Sequence, residues 1–219
     1  MVQPKAFLFD LNGTMIDDMD FHIRAWHAIL NSLGATVSLE ETKLQCYGKN
    51  SDLLERMFPG RFSVAEMDTM SMEKEKQYQK EFRPHLKLIN GLHNFLEQAQ
   101  HHKIKMAIGT AAIMYNVNFV MDGLNIRRYI DAVVSADDVE NSKPHPETFL
   151  KAAAALQISP SDCIVFEDSP KGVEAATKAG MKSVVLTTMH TADEFNDSRI
   201  ICFAPDYANG LFEKIVELF

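Results

Sequence analysis

Four short stretches of this chain place chemically capable side chains just after apolar runs or in a loop ahead of a helical segment. Asp10 follows Ala6-Phe7-Leu8-Phe9 and precedes the turn Asn12-Gly13. Thr110 follows the apolar run 104–108 and Gly109, and Glu167-Asp168 follow Cys163–Phe166. Lys143 stands in Lys143-Pro144-His145-Pro146, ahead of an alanine-rich segment. A carboxylate can act as a nucleophile, a hydroxyl can donate to an anion, and an ammonium can neutralise charge. Three carboxylates at one point cannot all stay ionised without compensation. Lys143 and a divalent cation would supply it, and hard oxygen ligands with room for water and a phosphate suit Mg²⁺.

Each residue also has a plain structural account when taken singly. Asp10 is a turn residue beside Asn-Gly. Thr110 and Asp168-Ser169-Pro170 are helix N-terminal signals. Lys143 is a surface lysine, the usual position of that residue type. Only their joint occurrence at the ends of apolar strands argues for a site.

The elements that must position these residues are readable from patterning. Short apolar runs at 6–9, 104–108, 163–166, 183–186 and 200–203, with a further short strand after Tyr129, alternate with helical segments at 91–101, 111–121, 146–156, 170–179 and 210–218. Such alternation predicts a parallel sheet with right-handed crossovers, whose ligands gather at the carboxyl ends of the strands. Between the first strand and the rest lie only helical patterns. These are 20–33, a capping box Ser38-Leu39-Glu40-Glu41, 52–58 after the break Gly48-Lys49-Asn50-Ser51, and a long amphipathic stretch 63–82 closed by Pro84. The expected fold class is α/β, a Rossmann-like parallel sheet core with an inserted all-helical cap domain. The expected boundaries are 1–15 and 89–219 for the core and 16–88 for the cap.

Composition limits the alternatives. The chain has 219 residues, 46% hydrophobic content and a net charge of −8. That suffices for one core and a smaller insert, and argues against nucleic acid as a partner. No run of about 18 apolar residues predicts a membrane span, and the N-terminal residues lack signal-peptide order. Cys46, Cys163 and Cys202 show no metal-ligand spacing. A reducing, cytoplasmic location and a monomer are the expectations.

Phe9-Asp10-Leu11-Asn12-Gly13-Thr14 resembles the first motif of the haloacid dehalogenase (HAD) superfamily, Asp-x-Asp-Gly-Thr. Thr110, Lys143 and Glu167-Asp168 fall in the order of that family's three later motifs. Phe166 to Ala176, Phe-Glu-Asp-Ser-Pro-Lys-Gly-Val-Glu-Ala-Ala, is a particularly specific form of the last one. The helical insert is similar to the cap of the β-phosphoglucomutase-like branch through Phe21-His22-Ile23-Arg24-Ala25-Trp26. The resemblance implies an Asp10 nucleophile, Asn12 at the acid/base position, and Thr110 and Lys143 on the phosphate. It implies Mg²⁺ held by Asp10, the Asn12 carbonyl, Glu167 and Asp168. His22, Gly48, Lys49, Lys80 and Ala111 are the expected substrate-contacting residues.

Asn12 departs from the motif. An amide can orient a ligand by hydrogen bonding but has no proton to exchange near neutrality. The loss of a general acid/base costs about 10²–10⁴-fold in rate. His22, of the residue type most suited to proton transfer near neutral pH, is a candidate replacement proton donor. The specificity loop Gly48–Ser51 also lacks the arginine that the mutases use for a second phosphate. The expected function is therefore a Mg²⁺-dependent phosphatase of small phosphorylated metabolites, with sugar phosphates foremost. A β-phosphoglucomutase-type isomerase and a phosphometabolite-binding pseudoenzyme are the alternatives.

Overall fold

A computed structural model of the protein describes residues 3–219. The chain divides into two compact units. One comprises Met1–Asp17 with Lys87–Phe219, and the other comprises Asp18–Leu86.

The larger unit is built on a six-stranded sheet in which every neighbouring pair is parallel. The strands are β1 (Ala6–Phe9), β2 (Lys105–Gly109), β3 (Ala132–Val134), β4 (Cys163–Glu167), β5 (Lys182–Leu186) and β6 (Ile200–Ala204). Their order is β3-β2-β1-β4-β5-β6. Sequence neighbours therefore depart to opposite sides of β1, and the order reverses between β1 and β4. In open parallel sheets that reversal opens a crevice at the carboxyl strand ends.

β1 is buried along its whole length because it is covered on both faces. Side chains alternate along a strand. Ala6 and Leu8 join a core of small residues with Ala107, Val165, Ala152, Ala153, Ala175 and Ala176. The last four lie on α7 (Glu147–Leu156) and α8 (Pro170–Lys178). Phe7 and Phe9 face the other way, into rings of Phe95, Phe166, Tyr207 and Phe212. Phe95 and Phe212 come from α5 (Leu92–His101) and α9 (Leu211–Leu218). Fully burying one such side chain contributes roughly 1.5–3 kcal/mol, so β1 is an anchor and a precise base for Asp10.

The smaller unit contains α1 (Met19–Ser32), α2 (Leu39–Gln45), α3 (Asn50–Met57) and α4 (Val64–Phe82). It has its own core of Trp26, Leu30, Leu53 and Leu54. Capping boxes start α2 at Ser38/Glu41 and α4 at Ser63/Glu66. Beyond Phe82 the chain keeps one 3₁₀ turn through Arg83–His85, because Pro84 is tolerated in the first turn of a helix.

Most element edges fall within two residues of the sequence expectation. The exception is α6 (Met114–Gly123), expected from residue 111. Thr110 Oγ1 takes the Ala112 N–H at 3.1 Å and holds residues 110–113 as a turn instead. No described helix is long and apolar enough to cross a membrane.

Candidate active site

The site is assembled at the carboxyl ends of β1, β2 and β4. The register pairs Phe9 with Phe166 and with Ile108, so the residues that follow them emerge side by side. The Asp10 N–H donates to the Phe166 carbonyl at 2.9 Å. Asp10, Thr110, Lys143, Glu167 and Asp168 are all buried.

Lys143 joins the acids. Its Nζ lies 2.5 Å from Asp10 Oδ1 and 2.7 Å from Glu167 Oε1, and 4.6 Å from the centre of the Phe149 ring. Burial disfavours its ammonium, but the carboxylates of Asp10 and Glu167 outweigh burial and hold it above its ordinary range. The loop carrying Lys143 is tied down by Glu147, whose carboxylate takes the N–H groups of Glu140 and Asn141, each at 3.0 Å.

Both carboxylate oxygens of Glu167 are met by protein donors. Its Oε1 is engaged by Lys143. Its Oε2 takes the N–H of Asp168, the N–H of Ser169 and the Ser169 hydroxyl, all at 3.0 Å. The carboxylate lies so close to α8 that a Cβ on Gly172 would fall 1.8 Å from its carbon. Here Glu167 fixes Lys143 and the strand-to-helix turn.

Asp168 is different. It lies against the motif turn, where a Cβ on Gly13 (φ +74°) would meet its Oδ2 at 2.1 Å. Burial, then the charges of Glu167 and Asp10, push its carboxyl well above the usual range. Among the described residues no side chain donates to this carboxylate. A buried carboxylate beside two others, with the one ammonium given to those two, is the donor chemistry a hard divalent cation balances. No three acidic, histidine or cysteine side chains among the described residues converge on a metal position. Asp10 and Asp168 would therefore need a backbone oxygen, and Asn12 is the neighbouring source. Asn12 is half-buried, in a bridge with Ile16.

Thr110 Oγ1 accepts from Ala112, which leaves its own O–H to donate. Ala111 is half-buried in the same turn.

The remaining expected residues lie in the helical unit. His22 is buried, with Nε2 3.2 Å from Asp18 Oδ2 and Nδ1 2.6 Å from Lys74 Nζ. It stacks on Tyr78, whose hydroxyl donates to Asp18. An ammonium only donates, so Nδ1 is the acceptor and the ring proton sits on Nε2. Both ring nitrogens are committed within this unit, which leaves His22 poorly suited to the proton-donor role expected of it. Gly48 adopts φ +76° ahead of α3, and the Lys49 N–H caps that helix through Asp52 Oδ2 at 3.0 Å.

Lys80 lies on the exposed face of α4, whereas Lys74, six residues earlier, is buried against His22 and Glu75. Sequence reading passed over Lys74. The available signal was its position on the stripe of Met67, Met70 and Tyr78, where a lysine interrupts apolar spacing. Tyr207 was passed over as well. Its ring packs on Phe9 and Phe166, and burial, with Asp10 and Asp168 nearby, pushes its hydroxyl well above the ordinary range.

A separate open groove of about 1060 Å³ runs between α5 and residues 207–213, and no member of the acid cluster lines it.

A parallel sheet reversing at β1/β4, with a lysine shared between acids at the reversal, defines a family. The family model for haloacid dehalogenase-like hydrolases matches residues 7–186, and the chain belongs to that family, in its β-phosphoglucomutase-like form. Fructose-1-phosphate phosphatase of Escherichia coli is 29% identical over 185 residues, covering 82% of this chain and 94% of that protein. β-Phosphoglucomutase of Bacillus subtilis is 29% identical over 188 residues, covering 82% of each chain. The crystal structure of β-phosphoglucomutase from Clostridium difficile superposes with a TM-score of 0.86 at 26% identity, covering 98% of this chain and 96% of that one.

Proposed function

We propose that this protein is a Mg²⁺-dependent phosphatase of small phosphorylated sugars that works through an aspartyl-phosphate on Asp10. The observation that carries the reading is the sharing of Lys143 between Asp10 and Glu167, with Asp168 beside them at the reversal of the sheet. The likeness to fructose-1-phosphate phosphatase and β-phosphoglucomutase supports sugar phosphates as the substrate class.

Asp10 and Asp168, with the Asn12 carbonyl, would hold Mg²⁺, which when bound supplies charge neutralisation to the phosphoryl oxygens. Lys143 neutralises Asp10 at rest and the phosphoryl group as charge spreads over it. Thr110 donates its O–H to the same group. An Asp10 oxygen attacks phosphorus, the bond to the sugar oxygen breaks, and that oxygen takes its proton from solvent because Asn12 has none to give. Water then attacks phosphorus, the bond to Asp10 breaks, phosphate leaves and the carboxylate is restored.

A mutase reading is disfavoured by the lack of an arginine in Gly48–Ser51 and by the engagement of the next arginine along the chain. Arg56 on α3 is committed to the Gln45 and Tyr47 carbonyls at 2.7 and 2.9 Å, so it is not a ready ligand for a second phosphate. A phosphate-release screen over hexose and pentose phosphates, run on this protein and on Asn12→Asp, tests the proposal. Turnover that appears or rises in Asn12→Asp is expected. Binding of sugar phosphate with no release by either protein would leave the pseudoenzyme reading standing. Conversion of β-glucose 1-phosphate to glucose 6-phosphate with a bisphosphate primer would favour the isomerase.

A further inference from the structure

The turn that follows β1 is short, and hydroxyls from the far end of the chain hold it. Thr188 Oγ1, beyond β5, donates to the Gly13 carbonyl at 2.5 Å. Tyr207 Oη, beyond β6, donates to the Thr14 carbonyl at 3.1 Å. Within the turn, the Leu11 carbonyl receives the N–H groups of Thr14, Met15 and Ile16 at 3.4, 2.8 and 3.3 Å. The Gly13 N–H reaches the Ile16 carbonyl at 2.8 Å, and the Ile89 N–H reaches the Met15 carbonyl at 3.0 Å. Backbone bonds thus account for the carbonyls of 11, 15 and 16, and among the described residues these two side chains account for those of 13 and 14.

Tyr207 is itself fixed. It is 4% exposed, and its ring centre lies 5.2 Å from that of Phe95 and 5.8 Å from that of Phe166. Its N–H donates to the Asn90 carbonyl at 2.9 Å. Gly91, at φ +81°, passes so close that a Cβ there would sit 2.6 Å from the Tyr207 carbonyl carbon. The hydroxyl therefore reaches the turn from a rigid base.

A nucleophile that must meet phosphorus in line is sensitive to small displacements, and an error of about 1 Å can cost about 10²-fold in rate. We infer that Thr188 and Tyr207 are positioning residues for phosphoryl transfer: by pinning the Gly13 and Thr14 carbonyls they set the reach of Asp10 and the aim of the Asn12 backbone. This rests on the phosphatase reading of the site, and the experiment separates the two.

Tyr207→Phe and Thr188→Val each delete one hydroxyl, and Thr188→Ser keeps it. With p-nitrophenyl phosphate and Mg²⁺, the two deletions should each slow the pre-steady-state release of nitrophenolate at saturating substrate, the step in which Asp10 attacks, by about tenfold or more, and Thr188→Ser should restore it. In parallel, amide hydrogen exchange of Thr14, Met15 and Ile16 should quicken by about tenfold in the deletions, with β1 amides unchanged. An unchanged pre-steady-state release rate in both deletions, or an equal loss in Thr188→Ser, overturns the inference. So does unchanged exchange, whatever the turnover. If neither this protein nor Asn12→Asp releases phosphate, the phosphatase reading falls and the inference falls as a statement about catalysis. Exchange then reports only whether the two hydroxyls clamp the turn.

Discussion

Asp10 Oδ1 and Lys143 Nζ lie 2.5 Å apart across 133 residues of sequence, both buried in the crevice where the sheet reverses. The same ammonium reaches Glu167 at 2.7 Å, so one cation restrains two carboxylates. Removing one member of a buried ion pair leaves the other uncompensated, at a cost of about 3–5 kcal/mol. Lys143→Met should lower unfolding stability by about that amount in denaturant titration and abolish measurable phosphate release. A stability change below about 1 kcal/mol would show that the carboxylates are balanced by something else.

Asn12 should slow the two half-reactions unequally. A good leaving group needs no proton to depart, whereas the attacking water needs a base in either case. With an aryl phosphate the Asp10 phosphoenzyme should therefore outlive its formation. A burst of about one equivalent of phenolate, followed by slow turnover, is expected in stopped-flow measurements. Asn12→Asp should raise the steady-state rate by about 10²–10⁴-fold and remove the burst. A linear time course with no burst in this protein, together with an unchanged rate in the variant, would contradict the assignment.

Glu147 ties the Lys143 loop to α7. Bonds from Lys151, then from the Glu140 and Asn141 N–H groups, hold its carboxyl far below the ordinary value of 4.5. A depressed folded value means that its contribution is fully present above pH 4.5 and is lost progressively as pH falls below it. The thermal midpoint of Glu147→Gln should therefore lie below that of the unaltered protein near about pH 6, with the gap closing toward about pH 3. A gap that stays constant or widens on acidification would refute the role given to this carboxylate.

In the helical unit, Lys74 is the buried cation. Its Nζ lies 2.9 Å from Glu75 Oε1, and both side chains are almost fully enclosed. Lys74→Met alone should destabilise by about 3 kcal/mol by leaving Glu75 buried without its cation. Lys74→Met with Glu75→Leu should recover most of that, because replacing both partners removes the uncompensated charge. Additive losses in the double variant would show that the pair is not the source of the effect.

The core was legible because its signals are local and strong. A four-residue apolar run ending at Asp10, the Ser169-Pro170 helix start and the alternation of elements each have a short-range cause. The motif residues Lys143, Glu167 and Asp168 were found by type and order. Glu167 shows what type and order leave out: a turn that supplies three donors within two residues engages its second oxygen. Lys74 carried a signal, a lysine on the apolar stripe of α4, but it stands six residues before Lys80, the lysine that the family resemblance suggested. Tyr207 acts through a distance no pattern encodes, 193 residues from the carbonyl it serves.

Gly172, on α8, bears on the stretch that follows β4. Glycine in the first turns of a helix forfeits about 1 kcal/mol relative to alanine, so its presence at α8 asks for a cause. The cause is volume: the Glu167 carboxyl group fills the place where a methyl would stand. In Glu-Asp-Ser-Pro-x-Gly, the acid and the glycine five positions later are thus two halves of one fit. A homologue that enlarges the glycine should be found to have shortened or redirected the acid as well.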